Sequence, residues 1–139
     1  MRFLALPNTV NFGGKVHGGT VMSWIDQAAY ACATAYSSRY CVTAFVGGIK
    51  FVRPIKIGSV VEVDAKVAYT GRSSMNIAVK VRSGDLKDDF TQTTTECAVV
   101  MVAVDEHGKS VEIPPLAIHD ADAQLLAEET RKRLQSANV

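Results

Sequence analysis

Asp26 stands alone. Between Val16 and Ser38 it is the single Asp, Glu, Lys or Arg, set about two turns into an apolar stretch that a glycine pair, Gly18-Gly19, opens. A lone carboxylate among apolar residues is costly to bury unless it is partnered or used. The glycines ahead of it leave backbone N–H groups accessible where a helix begins, and such groups stabilise negative charge. An acid or nucleophile beside an anion-stabilising helix start is the minimal equipment for acyl transfer. The competing reading of Asp26 is a structural ion pair, with Arg53 or Lys50 as partner.

The elements that must position this acid follow from patterning. Arg2 to Leu6 reads as a short strand, and the polar, Gly-rich run from Asn8 to His17 as a loop. Gly18 to about Ser37 is helical. Ser23, Gln27, Tyr30 and Thr34 form one narrow polar stripe, and the apolar remainder predicts a buried helix with Asp26 near a seam. Cys41 to Val52 is β-rich, and its internal Gly47-Gly48 predicts a bulge or a close approach by another backbone or a ligand. Ser59 to Tyr69 alternates well, as does the stretch from Met75 to Arg82, and Phe90 to Val104 is a long last strand. Turns are expected at 53–58, 70–72 and 105–109. A charged amphipathic helix from Asp120 to about Gln135 is expected to pack outside or to fray. One buried helix with several antiparallel strands is an α+β arrangement.

The chain of 139 residues is 47% hydrophobic, enough for one domain with an ordinary core, and its formal net charge of +1 gives no bulk reason to bind nucleic acid or anionic membrane. Cys32, Cys41 and Cys97 are odd in number and lack C-x-x-C spacing, which argues against a disulfide framework or structural zinc and fits a reducing, cytoplasmic setting. The apolar start, Met1 to Pro7, is too short for a signal peptide, and the apolar helix is interrupted by Asp26-Gln27, so no membrane span is expected. His107 and His119 lie near several acids without the spacing of a zinc site, and no metal is expected. No G-x-S-x-G elbow is present, which disfavours a common serine hydrolase.

Asn11-x-x-Gly14-x-x-His17-Gly18-Gly19 followed by Trp24-Ile25-Asp26 resembles the acyl-CoA thioesterases with the hotdog fold, among them the YciA-like bacterial enzymes. Lys50-Phe51-Val52-Arg53-Pro54-Ile55-Lys56-Ile57-Gly58 and Gly71-Arg72-Ser73-Ser74-Met75 match two further family segments in the same order. The likeness covers roughly Leu6 to Val104. It implies a curved antiparallel sheet wrapped around a long central helix, as one domain over residues 1–116 with a C-terminal helical extension over 117–139. It implies hydrolysis of acyl-CoA to free acid and coenzyme A, with Asp26 and an Asn11 from the partner subunit as the catalytic pair. No cofactor is implied beyond coenzyme A as part of the substrate. The expected assembly is a homodimer with shared sites, built into a trimer of dimers.

The chemistry of each candidate can be stated. Asp26 is a general base toward water or a nucleophile forming a mixed anhydride. Asn11 cannot titrate and would orient water or thioester through its amide. His17, Gly18 and Gly19 would present backbone donors to the developing oxyanion, with His17 more suited to holding the loop than to direct chemistry. Gly18 and Asp26 are eight residues apart, roughly 12 Å along a helix axis, so one subunit does not bring both to one substrate without bending. Arg53, Lys56, Arg72, Ser73 and Ser74 are candidates for the coenzyme A phosphates. A hotdog dehydratase or hydratase normally calls for an Asp–His pair, which Asp26 lacks nearby. A non-catalytic acyl-CoA or nucleotide sensor on the same fold is the alternative of a different class.

Overall fold

The structure, a computed structural model, describes residues 1–9, 13–85, 87 and 92–135. Its elements are β1 (Arg2–Leu4), a 3-10 turn (Pro7–Thr9), α1 (Gly18–Ser37), β2 (Tyr40–Phe51), β3 (Val60–Thr70), β4 (Ser74–Gly84), β5 (Gln92–Val104) and α2 (Ala121–Gln135). The five strands form one antiparallel sheet in the order β1-β3-β4-β5-β2. This is the expected hotdog arrangement. β1 ends at Leu4, before the expected Leu6; β5 is described from Gln92, and the expected start at Phe90 lies outside the described residues.

Period-two patterning builds the inner face. Met75, Ile77, Val79 and Val81 of β4, with Cys97, Val99, Met101 and Ala103 of β5, join Ile25, Ala29 and Ala33 of α1 in one buried core. Alternate residues leave the pleat on opposite sides, so the same strands present Lys80, Arg82 and Glu96 to the other face. Five alanines after Gln27 favour the helix and let it lie close to the sheet. Ser38 ends it in the left-handed region at φ 56°, its N–H bonded to the Thr34 carbonyl at 2.9 Å.

The helix corrects one expectation. In the single chain it is not buried around most of its circumference: Ser23, Asp26, Gln27, Ala31 and Ala35 are exposed, whereas Tyr30 and Thr34 of the expected polar stripe are half-buried. The C-terminal part of this face, with Ala31 and Ala35, is of low polarity, and the described residues leave it uncovered.

α2 lies on the opposite side of the sheet from α1. It is neither frayed nor detached: Ala127 and Thr130 are buried, Arg131 stacks 4.5 Å from the Tyr69 ring centroid, and Arg133 bonds to Glu96 of β5. Asp120 caps it, accepting from the Ala123 N–H at 2.7 Å. The resulting layers are helix, sheet, helix. No helix is long and apolar enough to cross a membrane among the described residues.

Candidate functional site

Asp26 is exposed on α1 and accepts a hydrogen bond from the Thr43 hydroxyl of β2, at 2.6 Å to Oδ1. Thr43 can reach it because it lies opposite Met101 in the β2–β5 register, and Met101 belongs to the sheet face that packs on α1. The acid therefore sits at the seam between helix and edge strand, as its position on the stripe predicted. It is not a buried group, which removes the burial part of the reasoning from sequence. Among the described residues it has no cationic partner: Arg53, a suggested ion-pair partner, donates instead to Gln92 at 2.9 Å.

Thr43 was not singled out from sequence. A threonine in a β-rich run is ordinary, and only its place two residues after Cys41, on the same side of the strand, hinted at an inward hydroxyl. Asn11 lies outside the described residues.

The helix start is held without a side-chain cap. His17 is the N-cap residue, and its carbonyl accepts from the N–H groups of Thr20 and Val21 at 3.0 and 3.1 Å. Val16 N–H, just before it, bonds the Ile55 carbonyl at 2.9 Å and so ties this start to the segment after β2. Gly18 and Gly19 are exposed and occupy the first two helical positions, where N–H groups have no intrahelical acceptor. Among the described residues a Cβ on Gly19 would meet nothing within 4 Å, and one on Gly18 would lie 3.6 Å from the Phe51 ring. Among the described residues, then, space does not demand either glycine; access to the amides is what they provide. A cavity of about 320 Å³ adjoins them, lined by Val16, Gly18, Val21, Phe51, Arg53 and Pro54 among others.

The five candidate coenzyme A residues fall into two groups. Arg53 and Lys56 follow β2 at the helix-start end, Arg53 on the cavity beside Gly18 and Lys56 on a second cavity of about 410 Å³ with Ser59, Ser83 and Asp85. Arg72, Ser73 and Ser74 form the turn from β3 into β4, where the Arg72 and Ser73 carbonyls accept from the N–H groups of Ile113 and Ala103. The 11 residues of β4 separate the two ends, roughly 35 Å. A single protomer does not bring all five to one coenzyme A.

The thiols are poor nucleophile candidates. Burial pushes Cys97 up to about 12, only partly offset by the nearby Arg133 charge, and raises Cys32 as well. Tyr36 is raised by burial too, and its hydroxyl donates to the Pro114 carbonyl. No cluster of His, Cys, Asp or Glu able to hold a metal exists among the described residues.

The family model of the thioesterase superfamily matches residues 13–89. Protein VdlD of Helicobacter pylori is 37% identical over 114 residues, which are 82% of this chain and 65% of that protein; the chain thus spans just under two thirds of that relative. A hexameric acyl-CoA thioesterase, solved in its apo form, superposes with a TM-score of 0.89 at 32% identity, covering 97% of this chain and 86% of that one. An acyl-CoA hydrolase from Staphylococcus aureus, solved with butyryl coenzyme A and coenzyme A, gives a TM-score of 0.88 at 27% identity over 97% and 82%. That hydrolase has also been solved with an Asp, an Asn and a Thr each replaced by Ala. The match runs from the loop before α1 past the end of β4, and with the hotdog sheet and its central helix it places this chain in the thioesterase superfamily.

Proposed function

We propose that the protein is an acyl-CoA thioesterase whose site is completed by a second copy of the chain. The observation that carries this reading is the Thr43-held carboxylate of Asp26, exposed on a seam that the described residues of one chain leave open. The three positions replaced in the Staphylococcus aureus hydrolase are spaced as Asn11, Asp26 and Thr43 are here, which supports the same trio in this chain.

Thr43 occupies Oδ1 of Asp26 and leaves Oδ2 for water or for the thioester carbon. In the base route, Asp26 takes a proton from water as the oxygen attacks the carbonyl carbon. The C–S bond then breaks, and the proton passes to the departing thiolate of coenzyme A. In the nucleophile route Oδ2 attacks first, coenzyme A leaves, and water cleaves the resulting anhydride. Both routes place negative charge on the carbonyl oxygen, which the Gly18 and Gly19 amides of the partner or the Asn11 amide would hold.

The second copy is supported by the free edge of the sheet. β2 is 12 residues long, pairs only with β5 among the described residues, and exposes Tyr40 (62%), Val42, Phe45 and Phe51 (54%). A long apolar edge invites pairing with another strand. Joining two such edges would also cover the exposed alanines of α1 and set the helix start of one copy near Asp26 of the other. Hexameric relatives support a further assembly of three dimers. Two copies would also bring arginine-bearing turns from different chains into play, which one protomer keeps apart.

Thiol release from a panel of acyl-CoAs, followed with a disulfide reagent, tests the reading. Steady turnover that Asp26→Ala abolishes is the expected result. Tight binding without thiol release would replace the enzyme with a sensor. A single turnover in ¹⁸O-water separates the routes, since only the nucleophile route can leave label in Asp26.

A further inference from the structure

The glycine pair inside β2 is where the last turn of α2 lands. Gly48 takes φ +61°, and a Cβ built on it would overlap Cγ of Arg133 and lie 2.5 Å from the Arg133 carbonyl oxygen. The Arg133 guanidinium then spans two strands: Nη1 donates to the Gly48 carbonyl at 3.1 Å and Nη2 to Glu96 Oε2 at 2.9 Å. Between those contacts the β2–β5 register slips. Gly47 lies opposite Ala98 but Lys50 opposite Glu96, so β2 holds one residue more than its partner. An extra residue in a strand reverses which face every later side chain takes.

The slip decides where Phe51 goes. With it, Phe51 is opposite Thr95 and its ring lies 3.6 Å from where a Cβ on Gly18 would be. β2 slips once before, between Thr43 and Phe45, and with that earlier slip kept the loss of this one would turn Phe51 off that face. The chain beyond is tied in series: the N–H groups of Val52 and Arg53 donate to the Thr94 carbonyl at 2.7 and 3.3 Å, and Val16 N–H donates to Ile55. Val16 is two residues from Gly18.

We propose that Arg133 is a positioning residue for thioester hydrolysis. By holding the bulge at Gly48 it sets Phe51 and the 52–55 segment against the start of α1, and thereby the place of the Gly18–Gly19 amides. This rests on the thioesterase reading and extends it to a helix that lies outside the residues the family model matches. The contacts through which Arg133 acts are those to Gly48 and Glu96, at the bulge.

The test uses Arg133→Ala and Arg133→Lys in the full-length oligomer. Two readouts are taken: kcat and KM on an acyl-CoA that the unaltered protein hydrolyses, and hydrogen exchange at the Val52 and Val16 amides. Small misplacement of catalytic groups is costly, so kcat is expected to fall about tenfold in Arg133→Ala. KM should stay within about twofold, because ground-state contacts are retained. Arg133→Lys, which can keep one of the two contacts, should fall between. Val52 and Val16 should exchange faster while Ala28 to Ala33 do not change. Unaltered kcat per folded oligomer, or unaltered exchange at Val52, overturns the proposal. If the unaltered protein cleaves no acyl-CoA, the thioesterase reading has failed, and the exchange result alone decides whether the latch exists. Should Arg133→Ala not assemble, Glu96→Gln weakens one arm of the guanidinium and must raise Val52 exchange in the same direction; no rise overturns the proposal.

Discussion

Thr43→Val is the sharpest perturbation of the seam. Valine keeps the size and β-branching of threonine, so β2 retains its strand preference, and only the hydroxyl that meets Asp26 Oδ1 at 2.6 Å is lost. A hydrogen bond to a charged group is worth about 1.5–3 kcal/mol, and exposure of this pair moves the expectation to the lower end. If that bond orients the carboxylate in the transition state, a loss of about 1.4 kcal/mol corresponds to about a tenfold drop in kcat. Stability should move little, because both partners become water-accessible when parted. The assay is steady-state thiol release alongside thermal unfolding. Thr43→Ser, which keeps a hydroxyl, should retain most of the activity. A Thr43→Val protein with unchanged kcat, or a Thr43→Ser protein as impaired as Thr43→Val, would refute the argument that the hydroxyl orients the acid.

Asn11→Ala and Asp26→Ala should each remove most activity, and re-annealing a mixture should recover part of it, since a mixed dimer retains one intact pair; no recovery despite confirmed subunit exchange counts against a shared site. Arg53→Ala and Arg72→Ala should each raise KM for acyl-CoA several-fold with kcat nearly unchanged, and an unchanged KM removes that residue from coenzyme A binding. Cys97 has its thiol raised from 9.0 to about 12 in the folded chain, so the unfolded chain gives up that proton first. Its contribution is intact below about pH 9 and declines by about 1.4 kcal/mol per pH unit from there toward 12. Chemical unfolding across that range should therefore show a steeper alkaline loss for the unaltered protein than for Cys97→Ala.

Some of the molecule was legible in residue types alone. Alternation is plain from Val60 to Val67 of β3 and from Ile77 to Val81 of β4, where one face packs on α1, and such period-two patterning survives in a sequence. The glycine pair in β2 announced a close approach, but what approaches could not be read: the answer is Arg133, 85 residues away. The helix misled. Its alanines looked like core residues on every side, and only the sheet's curvature around one face of α1 leaves Ala31 and Ala35 in the open.

The sequence by itself determined the candidate acid, the helix start ahead of it and the family, because these reside in neighbouring residues whose types and order carry the chemistry. Tertiary structure alone decided that Thr43 holds Asp26, that Arg53 and Arg72 lie at opposite ends of the sheet, and that α2 closes on the β2 bulge. Each of those joins residues far apart in the chain through the pairing of strands, and which residues end up opposite one another is a property of the whole sheet, not of neighbouring residue types.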